Sequence, residues 1–363
     1  MGDDGLMSGP LVPRKGAQVA LLANPAARRG RAAADVGRIL ERLRFRGIEP
    51  LVLDSSSADE ARMAAHHAVE TGISRLVAVG GDGIVHMAAH AAAGSPTIVG
   101  IVAAGTGNDA AEALGLTGDP PAGGLDARVD RALTDPTPVD LLVCHSGRNF
   151  ERMDGDDRPL HAVTSCVVGF PALVNARAEA MRMPRGPSRY TLATLGAIPR
   201  MRPGRFRLTL SGGPDDGVVV DQSAAVVVVA NTGLFGGGMR ICPDARPDDG
   251  LLDVCLVGDV GRLALLRAFP KVRTGAHLDH PDVTTYRSAA VRLETVESEG
   301  ASADPAMRAD GEPFTTLPAT ITVRPGALLV AGARTRAPGR EMGQTRGRSR
   351  GRPNPHQDLG SDA

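Results

Sequence analysis

Between Leu76 and Leu116 the chain reads LVAVGGDGIVHMAAHAAAGSPTIVGIVAAGTGNDAAEALGL: a β-type run, a glycine turn and an alanine-rich helical run, twice in succession. A glycine turn joining a strand to a helix lets a ligand approach the backbone and offers unpaired N–H groups at the positive end of the helix dipole, which suits phosphate. The two turns are Gly80-Gly81-Asp82-Gly83 and Gly105-Thr106-Gly107-Asn108-Asp109. A third polar turn, Asn24-Pro25 to Gly30, also joins a strand to a helix. Three such turns on one sheet edge describe a nucleotide polyphosphate site, although neither GxxxxGK[ST] nor GxGxxG occurs in them. Asp82 would repel a bare phosphate. It reads either as a cap of the following helix or as a carboxylate that meets phosphate through Mg²⁺.

The same alternation extends from residue 17 to about 141. The runs AQVALLA, LVLD, RLVAV and TIVGIVA alternate with helical stretches at 31–45, 58–71, 84–93, 108–114 and 122–133. This predicts an α/β domain, a parallel sheet flanked by helices, with ligands at the carboxyl ends of the strands. Beyond Val139 the texture changes to many β-type runs, among them LHAVTSCVV, GVVVD, AAVVVVA, ATITV and ALLVA. They predict a mainly antiparallel β-sandwich over 142–331, with helices near 171–200 and 260–268, and with its last strands returning to the first domain. Residues 1–16 read as a flexible leader, the polar stretch around 294–304 as a loop, and 332–363 as a disordered Arg/Gly/Pro-rich tail.

Lys+Arg and Asp+Glu both number 41, so no overall field argues for nucleic acid as a partner. The four cysteines are far apart, without a CxxC pair, and read as buried thiols in a reducing compartment. No apolar run approaches the roughly 20 residues of a membrane span. The expectation is a cytoplasmic protein that meets membrane only at its surface.

GGDG followed by GTGND, with NP after the first strand, resembles the bacterial diacylglycerol kinase family, relatives of the eukaryotic diacylglycerol and sphingosine kinases. Asp140 in PVDLLV, Gly169-Phe170, GGGM at 236–239, PDARPDDGLLDV at 243–254 and DGE at 310–312 extend the likeness over residues 17–331. The resemblance implies transfer of the ATP γ-phosphoryl group to a lipid hydroxyl, most readily diacylglycerol to phosphatidic acid, at the membrane surface. It is compatible with a homodimer. It also implies site residues. Asn24, Pro25, Gly30 and Ser55 or Ser56 would touch the nucleotide. Gly80, Gly81, Gly83, Gly105, Thr106, Gly107 and Asn108 would hold phosphates. Asp82 and Asp140 would organise a catalytic Mg²⁺. Asp249, with main-chain oxygens of Arg246 and Leu251, would hold a second, structural Mg²⁺. Asp310 and Glu312 would form the acidic pair at the transfer site, Glu312 as general base and one pKa raised by the other charge.

The chain departs from the family run in places. Ile84 stands where the family has threonine, His86 where it has asparagine and Met87 where it has glutamate; His86 matches a sphingosine kinase pattern instead. A glutamate restored at 87, taken as first-turn, is expected to favour the dipole and raise activity. Ala110 and Glu112 replace parts of Phe-Ala-Arg. Other features have ordinary readings. His86 and His90 stand at i, i+4 but lack a third ligand, His277 and His280 read as loop caps, and DGE alone suits a hairpin turn. Two further functions are weighed beside the kinase: a non-catalytic nucleotide- or lipid-binding relative, and an NAD kinase.

Overall fold

A computed structural model describes residues 18–23, 31–105, 107–117, 124–147, 159–181, 187–296 and 306–335. The leader, residues 24–30, Thr106, most of the polar loop and nearly all of the tail therefore lie outside the described residues.

The N-terminal strands β1 (Val19–Ala23), β2 (Leu51–Leu53), β3 (Arg75–Gly80) and β4 (Ile98–Ala103) pair in parallel in the order β2-β1-β3-β4. Helices α1 (Arg31–Phe45) and α5 (Gly124–Arg131) pack with one face, where Leu21, Val77 and Val102 meet Ile39, Leu43 and Val129. On the other face lie α2 (Ala58–Glu70) and α3 (Asp82–Ala92). Alanine at 88, 89, 91 and 92 lets α3 approach its neighbours closely, and every residue from Ile84 to Ala92 except His90 is buried.

The second half contains β5 (Pro136–Ser146), β6 (Leu160–Ala162), β7 (Ser165–Gly169), β8 (Gly204–Ser211), β9 (Val219–Ala230), β10 (Leu252–Gly258), β11 (Val283–Ser288), β12 (Ala290–Thr295), β13 (Ala306–Ala309), β14 (Glu312–Thr316) and β15 (Ala319–Ala331). All their mutual pairings are antiparallel. Helices α6 (Phe170–Ala180), α7 (Pro187–Ala197) and α8 (Arg262–Val272) belong to this half, and a short helix α4 (Asp109–Ala113) follows β4. β15 joins the halves: it pairs with β12 and β5, and then runs parallel to β4 through Leu329 and Val330.

Three local expectations are corrected. LHAVTSCVV is broken into β6 and β7 because the amides of Val163, Thr164 and Ser165 turn to the Asp310 carboxylate. GVVVD and AAVVVVA merge into the single strand β9. ATITV and ALLVA likewise form one strand, interrupted by an irregularity between Arg324 and Leu328, where Pro325 lacks a ladder donor. Among the described residues no helix is long and apolar enough to cross a membrane.

Candidate active site

Because Gly80 sits opposite Ala103 in the parallel ladder, the turns after β3 and β4 meet backbone to backbone. A Cβ at Gly105 would stand 2.9 Å from Gly81 N, and one at Gly107 would stand 2.8 Å from Asp82 Oδ2. Glycine is required so that the two turns can touch, beyond any need of a ligand. Asn108 closes the second turn: its Oδ1 accepts from Gly105 N at 3.2 Å and its Nδ2 donates to Gly105 O at 3.1 Å. Its amide serves the loop itself.

Asp82 opens α3, whose N-cap Gly81 supplies no side chain. Its Oδ1 accepts from Ala110 N at 3.1 Å, so the first turn grips the helix that follows the second. Burial pushes the Asp82 carboxyl up to about 6, the charges of Asp109 and Asp310 push the same way, and the amides of Ala110 and Asp109 oppose them. A carboxylate with such neighbours gains from a cation. Asp82 therefore fits the expected role beside Mg²⁺.

Asp310 and Glu312 do not act as an equivalent pair. Asp310 and Gly311, both at positive φ (50° and 89°), form the two-residue turn between β13 and β14. The Asp310 carboxylate turns inward. Oδ1 accepts from Thr164 N (2.8 Å), Thr164 Oγ1 (2.6 Å) and Ser165 N (3.3 Å), while Oδ2 accepts from Val163 N (2.8 Å) and lies 3.0 Å from His86 Nδ1. Burial would raise its pKa, yet His86 and these donors hold it below the usual carboxylate value. Both oxygens are committed, and the raised carboxyl of this region is Asp82. Glu312 is half-buried, with Oε1 3.8 Å from where a Gly83 Cβ would stand. Glu312 and Asp82 thus flank Gly83 in the first turn of α3.

Asp140 lies apart from this turn in its bonding. Its Oδ2 accepts from Gly250 N at 2.8 Å and its Oδ1 from Gly326 N at 2.7 Å. It ties the loop before β10 to the irregularity in β15, and these two amides are not part of the glycine turns. Asp249 accepts from Leu251 N at 3.1 Å and from Arg287 Nη2 at 2.5 Å. Among the described residues no three His, Cys, Asp or Glu side chains are arranged to hold a metal. Arg246 pairs through its side chain with Asp248.

Of the two serines, Ser55 is buried, and Ser56 donates from N (2.7 Å) and Oγ (2.8 Å) to Glu60 Oε2. Ser57 caps α2 through Glu60 N, so Ser56 belongs to a capping arrangement at the head of that helix. Asn24, Pro25, Gly30 and Thr106 lie outside the described residues. His86 and His90 part company: His86 turns to Asp310, while His90 Nδ1 accepts from His161 N at 3.3 Å. Burial pushes His90 down to about 3 and His161 down to about 4.

Met87 is not in the first helical turn. It is buried in the core beside Ala88 and Ala89. Met87→Glu is therefore expected to destabilise the fold by about 2–4 kcal/mol, because a carboxyl would enter an apolar contact layer. Urea unfolding of the purified variant measures this; unchanged stability would show that position 87 reaches solvent.

Two residues not singled out in the sequence organise the site. Asp109 accepts from Gly237 N (2.7 Å) and Gly238 N (2.8 Å), latching the GGGM loop onto α4. Asn231, fully buried, donates from Nδ2 to Asp140 O (2.8 Å) and Val163 O (2.9 Å). An asparagine directly after the apolar AAVVVVA run was the available signal for the latter. Gly237 also lines an apolar cavity between β9, β10, α6 and α8, with Phe170, Val174, Val226, Val257 and Phe269 in its walls. A short covalent and hydrogen-bonded path therefore runs from cavity wall to carboxylate: Gly237, Asp109, Ala110, Asp82.

Paired glycine turns with a carboxylate at the head of a buried helix are thus joined to a sandwich that carries an apolar cavity. Residues 18–142 match the diacylglycerol kinase catalytic domain, and residues 164–332 match the YegS C-terminal NAD kinase beta sandwich-like domain. The chain is 36% identical over 313 residues to a diacylglycerol kinase of Mycobacterium tuberculosis, covering 86% of this chain and 94% of that one. It is 30% identical over 281 residues to a "Probable lipid kinase YegS-like" protein of Pseudomonas aeruginosa, covering 75% of this chain and 80% of that one. A crystal structure of a diacylglycerol kinase from Bacillus anthracis shares the fold, with a TM-score of 0.60 at 18% identity over 88% of this chain and 98% of that one. The chain belongs to the diacylglycerol kinase family. It is a lipid kinase, a phosphotransferase that uses a nucleotide and a hydroxyl acceptor.

Proposed function

We propose that the chain transfers the γ-phosphoryl group of ATP, accompanied by Mg²⁺, to the hydroxyl of diacylglycerol, forming phosphatidic acid. The observation that carries this reading is the link from the apolar cavity through Gly237 and Asp109 to Asp82. A substrate with its acyl chains in the cavity would leave its hydroxyl beside the glycine turns. The α3 dipole and the amides of the Gly80–Gly83 turn would then stabilise phosphate oxygens. When bound with the nucleotide, Mg²⁺ would neutralise charge on the moving phosphoryl group, and Asp82 is the residue suited to hold it. Glu312, flanking the same helical turn, is assigned to take the hydroxyl proton.

Peripheral membrane contact is part of the proposal. The cavity wall α8 has no buried residue; it exposes Leu263 (58%) and Leu266 (38%) together with Arg262, Arg267 and Lys271. Exposed leucines among cations suit a surface of anionic headgroups.

The test is incubation of the purified protein with γ-labelled ATP, Mg²⁺ and diacylglycerol in phosphatidylglycerol vesicles. Labelled phosphatidic acid is expected, with less formed on phosphatidylcholine vesicles. Labelling of another lipid alcohol in a mixed extract, with none on diacylglycerol, would reassign the substrate. Equal rates on both vesicle types would remove the role given to α8.

A further inference from the structure

The family resemblance assigns a second, structural Mg²⁺ to the loop PDARPDDGLLDV, and the donor set there does not suit one. We propose that Arg287 is the resident cation of this loop and that the sandwich is assembled there without a divalent ion.

The placement begins with strand register. β10 and β11 pair antiparallel with Asp253 opposite Arg287, so the guanidinium rises from the sheet beside that carboxylate. Arg287 Nε lies 3.2 Å from Asp253 Oδ1, and Nη2 donates to Asp249 Oδ2 at 2.5 Å. The main chain of Arg287 is held too: its N donates to Asp215 Oδ2 at 2.7 Å, and its O accepts from Asp215 N at 3.1 Å. A single planar cation therefore bridges the first and last carboxylates of DGLLD from a strand pinned on both sides.

Other carboxylate oxygens around the loop are engaged as well, Asp253 Oδ2 apart. Asp249 Oδ1 takes Leu251 N, while the two oxygens of Asp140 take Gly250 N and Gly326 N. Mg²⁺ demands a near-octahedral shell of oxygens at about 2.0–2.1 Å. Here an amide hydrogen and a guanidinium point at the two oxygens of Asp249, the one side chain that would have to supply it.

The experiment is thermal unfolding of the nucleotide-free protein in EDTA and in millimolar Mg²⁺ or Mn²⁺, a readout independent of substrate and turnover. The wild-type midpoint is expected to be the same in both. Arg287→Met should lower the midpoint in EDTA by roughly 5 °C, and Mg²⁺ should recover part of the loss, since two carboxylates then lack their cation. If that variant does not fold, Arg287→Lys is read instead: it keeps the charge, so its smaller loss should remain insensitive to Mg²⁺. The inference is overturned if Mg²⁺ raises the wild-type midpoint by a similar margin and Asp249→Asn abolishes that rise, because a divalent ion would then already occupy the loop.

Discussion

Replacing Asp82 by Asn should lower turnover by about 100-fold or more while making the protein more stable. The activity loss follows from the assigned role, since the ionised carboxylate supports the cation that accompanies ATP and an amide cannot. The stability gain follows from linkage. Burial lifts the Asp82 pKa from 3.8 in the reference state to about 6 in the fold, so folding favours the protonated form between those values. Stability contributed by this group is lost as pH rises through that window, and at pH 7 to 8 the buried charge opposes folding. Asn removes the charge, and a gain of about 1–2 kcal/mol at neutral pH is expected, discounted for partial exposure. Wild-type kcat/KM at saturating Mg²⁺ should fall as the pH is lowered through about 6 unless the bound cation shifts the group further down. Near-native turnover in the folded variant would remove Asp82 from the reaction.

Glu312→Gln is the second large effect, with an expected fall of about 100-fold or more in turnover and little change in nucleotide affinity. Glutamine preserves size and hydrogen bonding but cannot accept the hydroxyl proton. Asp310→Ala separates the two acidic residues. It strips acceptors from the amides of Val163, Thr164 and Ser165 and from His86, so it should cost about 3 kcal/mol or more of stability. Single-turnover kinetics at saturating ATP, paired with urea unfolding, distinguish the two variants. If Glu312→Gln loses ATP binding but keeps its turnover at saturation, Glu312 belongs to the nucleotide site and the base lies elsewhere.

Much of this molecule is legible in its sequence. Strand and helix alternation is a local property of side-chain polarity, and glycine turns announce themselves because nothing else allows such close backbone approach. The alanine-rich stretch after GGDG similarly announced a helix. The strand ends were harder to read. LHAVTSCVV is continuous by polarity, and only a carboxylate some 145 residues away in sequence breaks it, as the Asp310 contact to Ser165 shows. Met87 was placed by analogy in a first turn, whereas the helix begins at Asp82 and carries it into the core.

By itself the sequence determined two halves of different texture, the paired turns, and the acidic residues at 82, 140, 249, 310 and 312, with Met87 standing where the family resemblance would put another. Tertiary structure alone decided which of those acids keeps an oxygen for chemistry. Carboxylates of identical type were sorted by partners distant in the chain: Asp140 by the amides of Gly250 and Gly326, Asp249 by Arg287, Asp310 by the 163–165 turn and His86. Asp82 and Glu312 were left flanking Gly83, Asp82 with its pKa raised by burial. The physical reason is that a carboxylate's availability depends on the donors and dielectric around it, and both are set by residues that meet only when the sheet closes.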